Sequence, residues 1–201
     1  MAVGAFNVTT MEGILAVLEA AKREQVPVIL QFANAAHKGY IALEEIGPVM
    51  LALADKSPLP VCVHLDHGES LEEVDRALRL GFTGVMYDGS ALEYALNVAN
   101  TKAVVEMAKK YGAGVEAEIG AMGREDGNQE GGGVALASSY TDPGLAQSFI
   151  RDTGADALAC SFGTVHGIYA SEPKLDFERI LEIRRLTGVP VVMHGGSGVS
   201  E

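Results

Sequence analysis

Short continuous runs of apolar residues recur along the chain, and the stretches between them carry apolar residues at helical spacing. The runs at residues 3–8, 28–32, 61–65, 83–87, 114–119, 157–162 and 189–194 read as strands. Most lack strict alternation, which is the pattern of strands covered on both faces. Thr9 and Glu12 stand at capping-box spacing ahead of Ile14, Leu15 and Leu18, and Ser70 and Glu73 repeat the signal before Val74, Ala77 and Leu78. Asp176-Phe177-Glu178-Arg179 opens another helix running to Leu186, with Gly188 and Pro190 as its stop.

Strands alternating with helices predict a parallel sheet, because parallel neighbours need a crossover connection. Two closures compete, an open doubly wound sheet and a (β/α)8 TIM barrel. No Gly-x-Gly-x-x-Gly fingerprint follows the first strand, which weakens the dinucleotide-binding version of the open sheet. A barrel draws its active-site groups from the C-terminal ends of several strands. Asn7, Asp66, His67, Asp88, Glu118, His166 and His194 all fall there. The expected fold is therefore α/β, a single TIM-barrel domain over residues 1–201. It is expected to be incomplete, with seven βα units and the last strand missing, since unpaired edges on the first and seventh strands would be a liability. A fragment of a longer chain accounts for that best.

Composition narrows the partners. With 201 residues and 48% hydrophobic content, the chain can bury one substantial core. The absence of a run of about 18 apolar residues argues against a membrane span, and no basic stretch precedes an apolar one as in a signal peptide. A net charge of −12 without a basic stripe speaks against nucleic acid. Cys62 and Cys160 each lie inside an apolar run and read as buried thiols, in keeping with a reducing cytoplasm.

Four of the five histidines cluster in three glycine-bearing segments, His64-Leu65-Asp66-His67-Gly68, Gly163-Thr164-Val165-His166-Gly167 and His194-Gly195-Gly196-Ser197-Gly198. Any one of them reads as a structural histidine. Together, His67, His166 and His194 at three strand ends predict a metal site, because a catalytic zinc takes about three protein ligands and keeps one position open. His64, three residues before His67, reads as a packing or supporting histidine. Asp66 either passes a proton near the metal or accepts backbone hydrogen bonds in the turn. Asp88 and Glu118 either hold a second, more oxygen-loving cation, support the first site, or cap the next helix. Gly167, Gly195, Gly196 and Ser197 fit an anion cradle or plain turns. The connection from Gly120 to Thr141, with Gly123, Gly127 and Gly131-Gly132-Gly133 around Arg124-Glu125-Asp126, reads as a functional loop or a disordered one.

These segments resemble the class II, zinc-dependent aldolases of ketose bisphosphates. The resemblance runs from Gly4-Ala5-Phe6-Asn7 through Val63-His64-Leu65-Asp66-His67-Gly68, Val115-Glu116-Ala117-Glu118-Ile119-Gly120 and Gly123-Arg124-Glu125-Asp126-Gly127. It continues through Gly163-Thr164-Val165-His166-Gly167-Ile168-Tyr169 to His194-Gly195-Gly196-Ser197-Gly198. It implies reversible aldol cleavage of fructose or tagatose 1,6-bisphosphate to dihydroxyacetone phosphate and glyceraldehyde 3-phosphate. It also implies Zn2+ on His67, His166 and His194, with a second divalent or monovalent cation at Asp88 and Glu118 or the zinc in an alternative location. Asp66 would polarise or protonate the aldehyde oxygen, and Glu125 would take the proton from dihydroxyacetone phosphate. Gly167, Gly195, Gly196 and Ser197 would cradle the ketone phosphate, and Asn7 would lie at the substrate. The family is dimeric or tetrameric, so a homodimer or homotetramer is expected.

The chain departs from the family pattern in places. Ala170 and Ser171 stand where a lysine is common, with Lys174 the nearest substitute, and Phe32-Ala33-Asn34-Ala35-Ala36 replaces a serine-bearing loop. The eighth strand and a helix before the first strand are not in the sequence. These departures leave an alternative, a catalytically silent barrel that partners an active aldolase.

Overall fold

The computed structural model describes residues 2–33, 40–120, 140–165, 172–196 and 199. Seven strands alternate with six helices among them: β1 (Gly4–Asn7), α1 (Met11–Glu24), β2 (Val28–Ala33), α2 (Leu43–Ala54), β3 (Val61–Gly68), α3 (Leu71–Leu80), β4 (Gly84–Tyr87), α4 (Tyr94–Lys109), β5 (Gly114–Ile119), α5 (Pro143–Thr153), β6 (Ala157–Cys160), α6 (Phe177–Thr187) and β7 (Val191–Val192). All seven expected strands are present. The chain forms two compact units, residues 1–88 with 103–115, and residues 89–102 with 116–201.

In the first unit β1, β2, β3 and β4 pair in sequence order, every pair parallel. In the second, β5 pairs with β6 and β6 with β7, again parallel. Sequential order is what barrel closure needs, whereas the doubly wound sheet reverses order part-way along. The expected TIM-barrel class holds, with seven strands.

The register sorts side chains by chemistry. Leu30 aligns with Val63 and Phe32 with Leu65, while Gln31 aligns with His64 and Ala33 with Asp66. Alternate residues face opposite sides of a strand, so Leu30, Phe32, Val63 and Leu65 share one face and Gln31, His64 and Asp66 the other. Both faces are buried, which explains why the sequence lacks simple alternation. In the second unit Glu116 aligns with Ala157 and Glu118 with Ala159, which in turn aligns with Val192. His194, two residues beyond Val192, continues that face.

Helix ends follow their local chemistry. The Ser70 hydroxyl accepts from the Glu73 N–H at 3.2 Å, and the Glu73 carboxylate accepts from the Glu69 N–H at 3.0 Å. Gly81, with φ +104°, supplies the left-handed residue that ends α3. The first helix begins one residue later than Thr9 implies: Thr10 is the cap, its hydroxyl accepting from the Gly13 N–H at 3.1 Å. Asp142 and Asp176 cap α5 and α6 in the same way. The start of α2 carries no sequence signal, because Ala42 offers no capping oxygen and Pro48 lies inside the helix. Here the Glu45 carboxylate reaches back to the Ala42 N–H at 2.8 Å instead.

Cys160 is buried, Cys62 is half-buried, and neither forms a disulfide. Among the described residues no helix is long and apolar enough to cross a membrane.

Two outcomes are expected. Ser70→Ala lowers stability by about 1 kcal/mol in urea unfolding, the usual cost of a lost N-cap. Asp176 receives the Arg179 backbone N–H and then its guanidinium, which hold the carboxyl below the usual range. A lowered folded pKa adds stability above the unfolded pKa and loses it as pH falls through the folded value. Acid titration of stability should therefore be flatter at its low end in Asp176→Asn than in the parent.

Candidate functional site

A local irregularity places the first group of polar side chains. Leu65 aligns with Val85, but Gly68 aligns with Tyr87, so β3 spends one more residue than β4 between the two pairings. Such a bulge re-aims a side chain. His67 lies inside it with φ +50°, in the left-handed region that non-glycine residues rarely occupy. Asp66 and His67 would otherwise face opposite sides of the strand. Here His67 Nε2 comes within 3.9 Å of Asp66 Oδ1.

Each of the two is held by a neighbour from another strand. The Asn7 amide at the end of β1 donates to Asp66 Oδ2 at 2.8 Å. His67 Nδ1 lies 3.0 Å from Asp88 Oδ2, just past the end of β4. Asp66 and His67 have side-chain exposures of 6% and 13%, so water does little to screen these contacts. Gly68 is required by space: a Cβ there would come 2.7 Å from the Met86 carbonyl oxygen. His64 sits deeper in the same strand, with its Nδ1 2.6 Å from where a Cβ on Gly84 would stand.

The second unit repeats the motif with other residues. His194 Nε2 lies 2.8 Å from Glu116 Oε1, and both side chains are buried. Glu118 is buried on the same face of β5, and the Asn97 amide donates to its backbone carbonyl at 2.9 Å. Gly195 has φ +70°, and a Cβ there would collide with the Val165 carbonyl oxygen. That glycine has a packing reason independent of any ligand, and Gly196 beside it meets only the flexible end of Met193. Burial, and then the Glu118 carboxylate, push the Cys160 thiol up to about 12.

Within the first unit the structure thus brings together Asn7, Asp66, His67 and Asp88, and within the second Glu116 and His194. Glu125, His166, Gly167 and Ser197 lie outside the described residues. Glu116 is the residue that sequence reasoning passed over. Its signal was present, since Glu116 and Glu118 stand two apart in an apolar strand and so share one face. The bulge at His67 has no comparable signature.

Comparison with known proteins gives one consistent result. The profile of the family described as fructose-bisphosphate aldolase class-II matches residues 1–201. A probable fructose-bisphosphate aldolase of Bacillus subtilis (strain 168) is 41% identical over 200 residues, covering 98% of this chain and 69% of that protein. The fructose-bisphosphate aldolase of Geobacillus stearothermophilus is 40% identical, covering 98% of this chain and 68% of that protein. Among solved structures, the YdjI aldolase from Escherichia coli K12 superposes with a TM-score of 0.86 at 36% identity, over 99% of this chain and 69% of that one.

The left-handed His67 backbone is testable on its own. His67→Gly should be more stable than His67→Ala by about 1 kcal/mol in chemical unfolding, because glycine enters that region without a Cβ penalty. Equal stability of the two variants would contradict the conformation.

Proposed function

The chain belongs to the fructose-bisphosphate aldolase class-II family, and we propose that it carries the zinc site for reversible cleavage of a ketose 1,6-bisphosphate to dihydroxyacetone phosphate and glyceraldehyde 3-phosphate. The family is one of lyases. The observation that carries the finer reading is the pair of carboxylate-held imidazoles, His67 on Asp88 and His194 on Glu116, each at a strand's C-terminal end. Histidines that ligate metals nearly always give their other ring nitrogen to a carboxylate, carbonyl or water, which fixes the ring and raises its basicity. The donor set fits a borderline-soft divalent ion: buried imidazoles with carboxylates behind them.

His67, His166 and His194 would hold the ion. Bound there, zinc supplies Lewis-acid stabilisation of the negative charge that C3–C4 cleavage leaves beside the carbonyl. The remaining steps belong to the chain. Asp66, oriented by the Asn7 amide, passes a proton to and from the aldehyde oxygen. Glu125 takes the proton from dihydroxyacetone phosphate in the condensation direction. Gly167, Gly195, Gly196 and Ser197 offer the ketone phosphate backbone N–H groups, which compensates for the chain's acidic balance. Asn7 serves the substrate indirectly in this arrangement, through Asp66. Asp88 and Glu116 set the rings, and Glu118 with Asp88 remains the place for a second cation. The same reading takes residues 1–201 as one domain of a cytoplasmic homodimer or homotetramer, a state that light scattering of the purified protein reads directly.

The metal role is tested by elemental analysis and turnover together. Purified protein is expected to hold zinc near one per chain and to lose turnover with chelator. His166→Ala is expected to lose both, and Glu116→Gln to weaken zinc binding about 10- to 100-fold. Full turnover in chelator ends this reading, and absence of zinc with absence of turnover supports the silent-partner alternative. Rates on fructose and tagatose 1,6-bisphosphate, which differ at one hydroxyl, assign the sugar.

A further inference from the structure

We propose that Arg179 is a positioning residue, clasping residues 140–141, downstream of Glu125, to residues 174–176, downstream of His166, so that both are held in one register. The proposal rests on the roles given above to those two residues. It is built from described residues of the second unit alone.

Arg179 lies in the first turn of α6 and reaches in three directions. Its Nη1 donates to the Thr141 carbonyl at 2.7 Å, its Nε donates to Asp176 Oδ2 at 2.9 Å, and its guanidinium lies 5.6 Å from the centroid of the Tyr140 ring. Tyr140 completes the circuit, its hydroxyl donating to the Lys174 carbonyl at 2.9 Å. Residues 140 and 141 come after Glu125 in the sequence, and residues 174 and 176 come after His166. One guanidinium thus joins the two segments.

Both segments are also stitched to the strand ends. The Thr141 hydroxyl donates to the Ile119 carbonyl at 2.9 Å and accepts from the Ser161 N–H at 2.9 Å, while the Thr141 N–H donates to the Ser161 carbonyl at 2.8 Å. The Asp176 N–H donates to the Phe162 carbonyl at 2.9 Å. Gly163, with φ +123°, leaves room for this: a Cβ there would strike the Lys174 carbonyl oxygen and approach the Tyr140 hydroxyl. Gly120, with φ +94°, does the same for the Thr141 hydroxyl. Ordinary helix capping explains the Asp176 contact alone. It does not explain a guanidinium that spends its other donor on Thr141 and stacks on Tyr140.

Arginine suits the task because its rigid planar fork serves several acceptors at fixed angles and stacks on a ring, which a lysine ammonium does not reproduce. Small misplacements of a reacting group cost large factors in rate.

The test uses Arg179→Ala, Arg179→Lys and Tyr140→Phe, the last keeping the ring but removing the hydroxyl donor. Three measurements are made well below the unfolding temperature: kcat and KM, the rate of zinc loss to chelator, and hydrogen exchange of the Thr141, Ser161 and Asp176 amides. The expected result is a fall in kcat on the order of 10-fold with KM nearly unchanged. Zinc loss should be faster by a similar factor, exchange should rise at those three amides, and Arg179→Lys should fail to rescue. Variants whose kcat and zinc loss match the parent overturn the proposal, even if their melting temperature falls. If Arg179→Ala does not fold, Tyr140→Phe decides by the same measurements. If the parent itself holds no zinc and cleaves nothing, the functional reading fails and the positioning role fails with it. Unchanged exchange in the variants would then refute the clasp separately.

Discussion

A polar side chain buried in a sheet must find a polar partner, and three such pairs in this chain join residues in or just beyond different strands. That constraint organises the molecule. One strand face of the first unit carries Gln31, His64 and Asp66, and one strand face of the second carries Glu116, Glu118 and His194. None of these groups reaches bulk water readily, and leaving one unsatisfied would cost about 1–3 kcal/mol. The pairings Asn7–Asp66, His67–Asp88 and Glu116–His194 therefore do two jobs at once. They make burial tolerable, and they fix the direction in which each remaining lone pair or proton points.

The opposite faces do simpler work. Leu30, Phe32, Val63, Leu65 and Val85 are almost fully buried. Their transfer from water contributes roughly 25 cal/mol per Å2 of apolar area. That drive recruits the strands, and the polar face then decides what the assembled strands can do. His67 illustrates the tension between the two. Its left-handed backbone is costly locally, by about 1–3 kcal/mol, and the bulge that imposes it turns the imidazole toward Asp88.

Much of this was legible in the sequence, for definite reasons. Runs of five or six largely apolar residues marked all seven strands; in β2 and β3 burial on both faces removes the usual alternation, whereas β1 is exposed along its length. The caps at Ser70 and Asp176 were legible because a side-chain oxygen at the right spacing is a local signal. The strand-end residues Asn7, Asp66, His67 and Asp88 were legible as candidates, since barrels place chemistry there. What stayed hidden is non-local. That Asn7 would meet Asp66 across 59 residues, or that Arg179 would reach Thr141 across 38, depends on register and not on spacing. Glu116 was hidden for the same reason, since its partner lies 78 residues away. The helix at Leu43–Ala54 was hidden because its start lacks a capping oxygen and its interior holds a proline.

The acidic interior of β5 has a side effect on its neighbour in β6. Cys160 pairs in register with Ile119, one residue beyond Glu118, and the thiol there stays protonated far above neutral pH. Soft thiolates capture zinc and react with peroxide, whereas a protonated thiol does neither readily. The sheet can therefore keep a sulfur atom close to buried carboxylates without offering it as a rival ligand. Oxidative stress should accordingly spare this cysteine for as long as the strand stays folded.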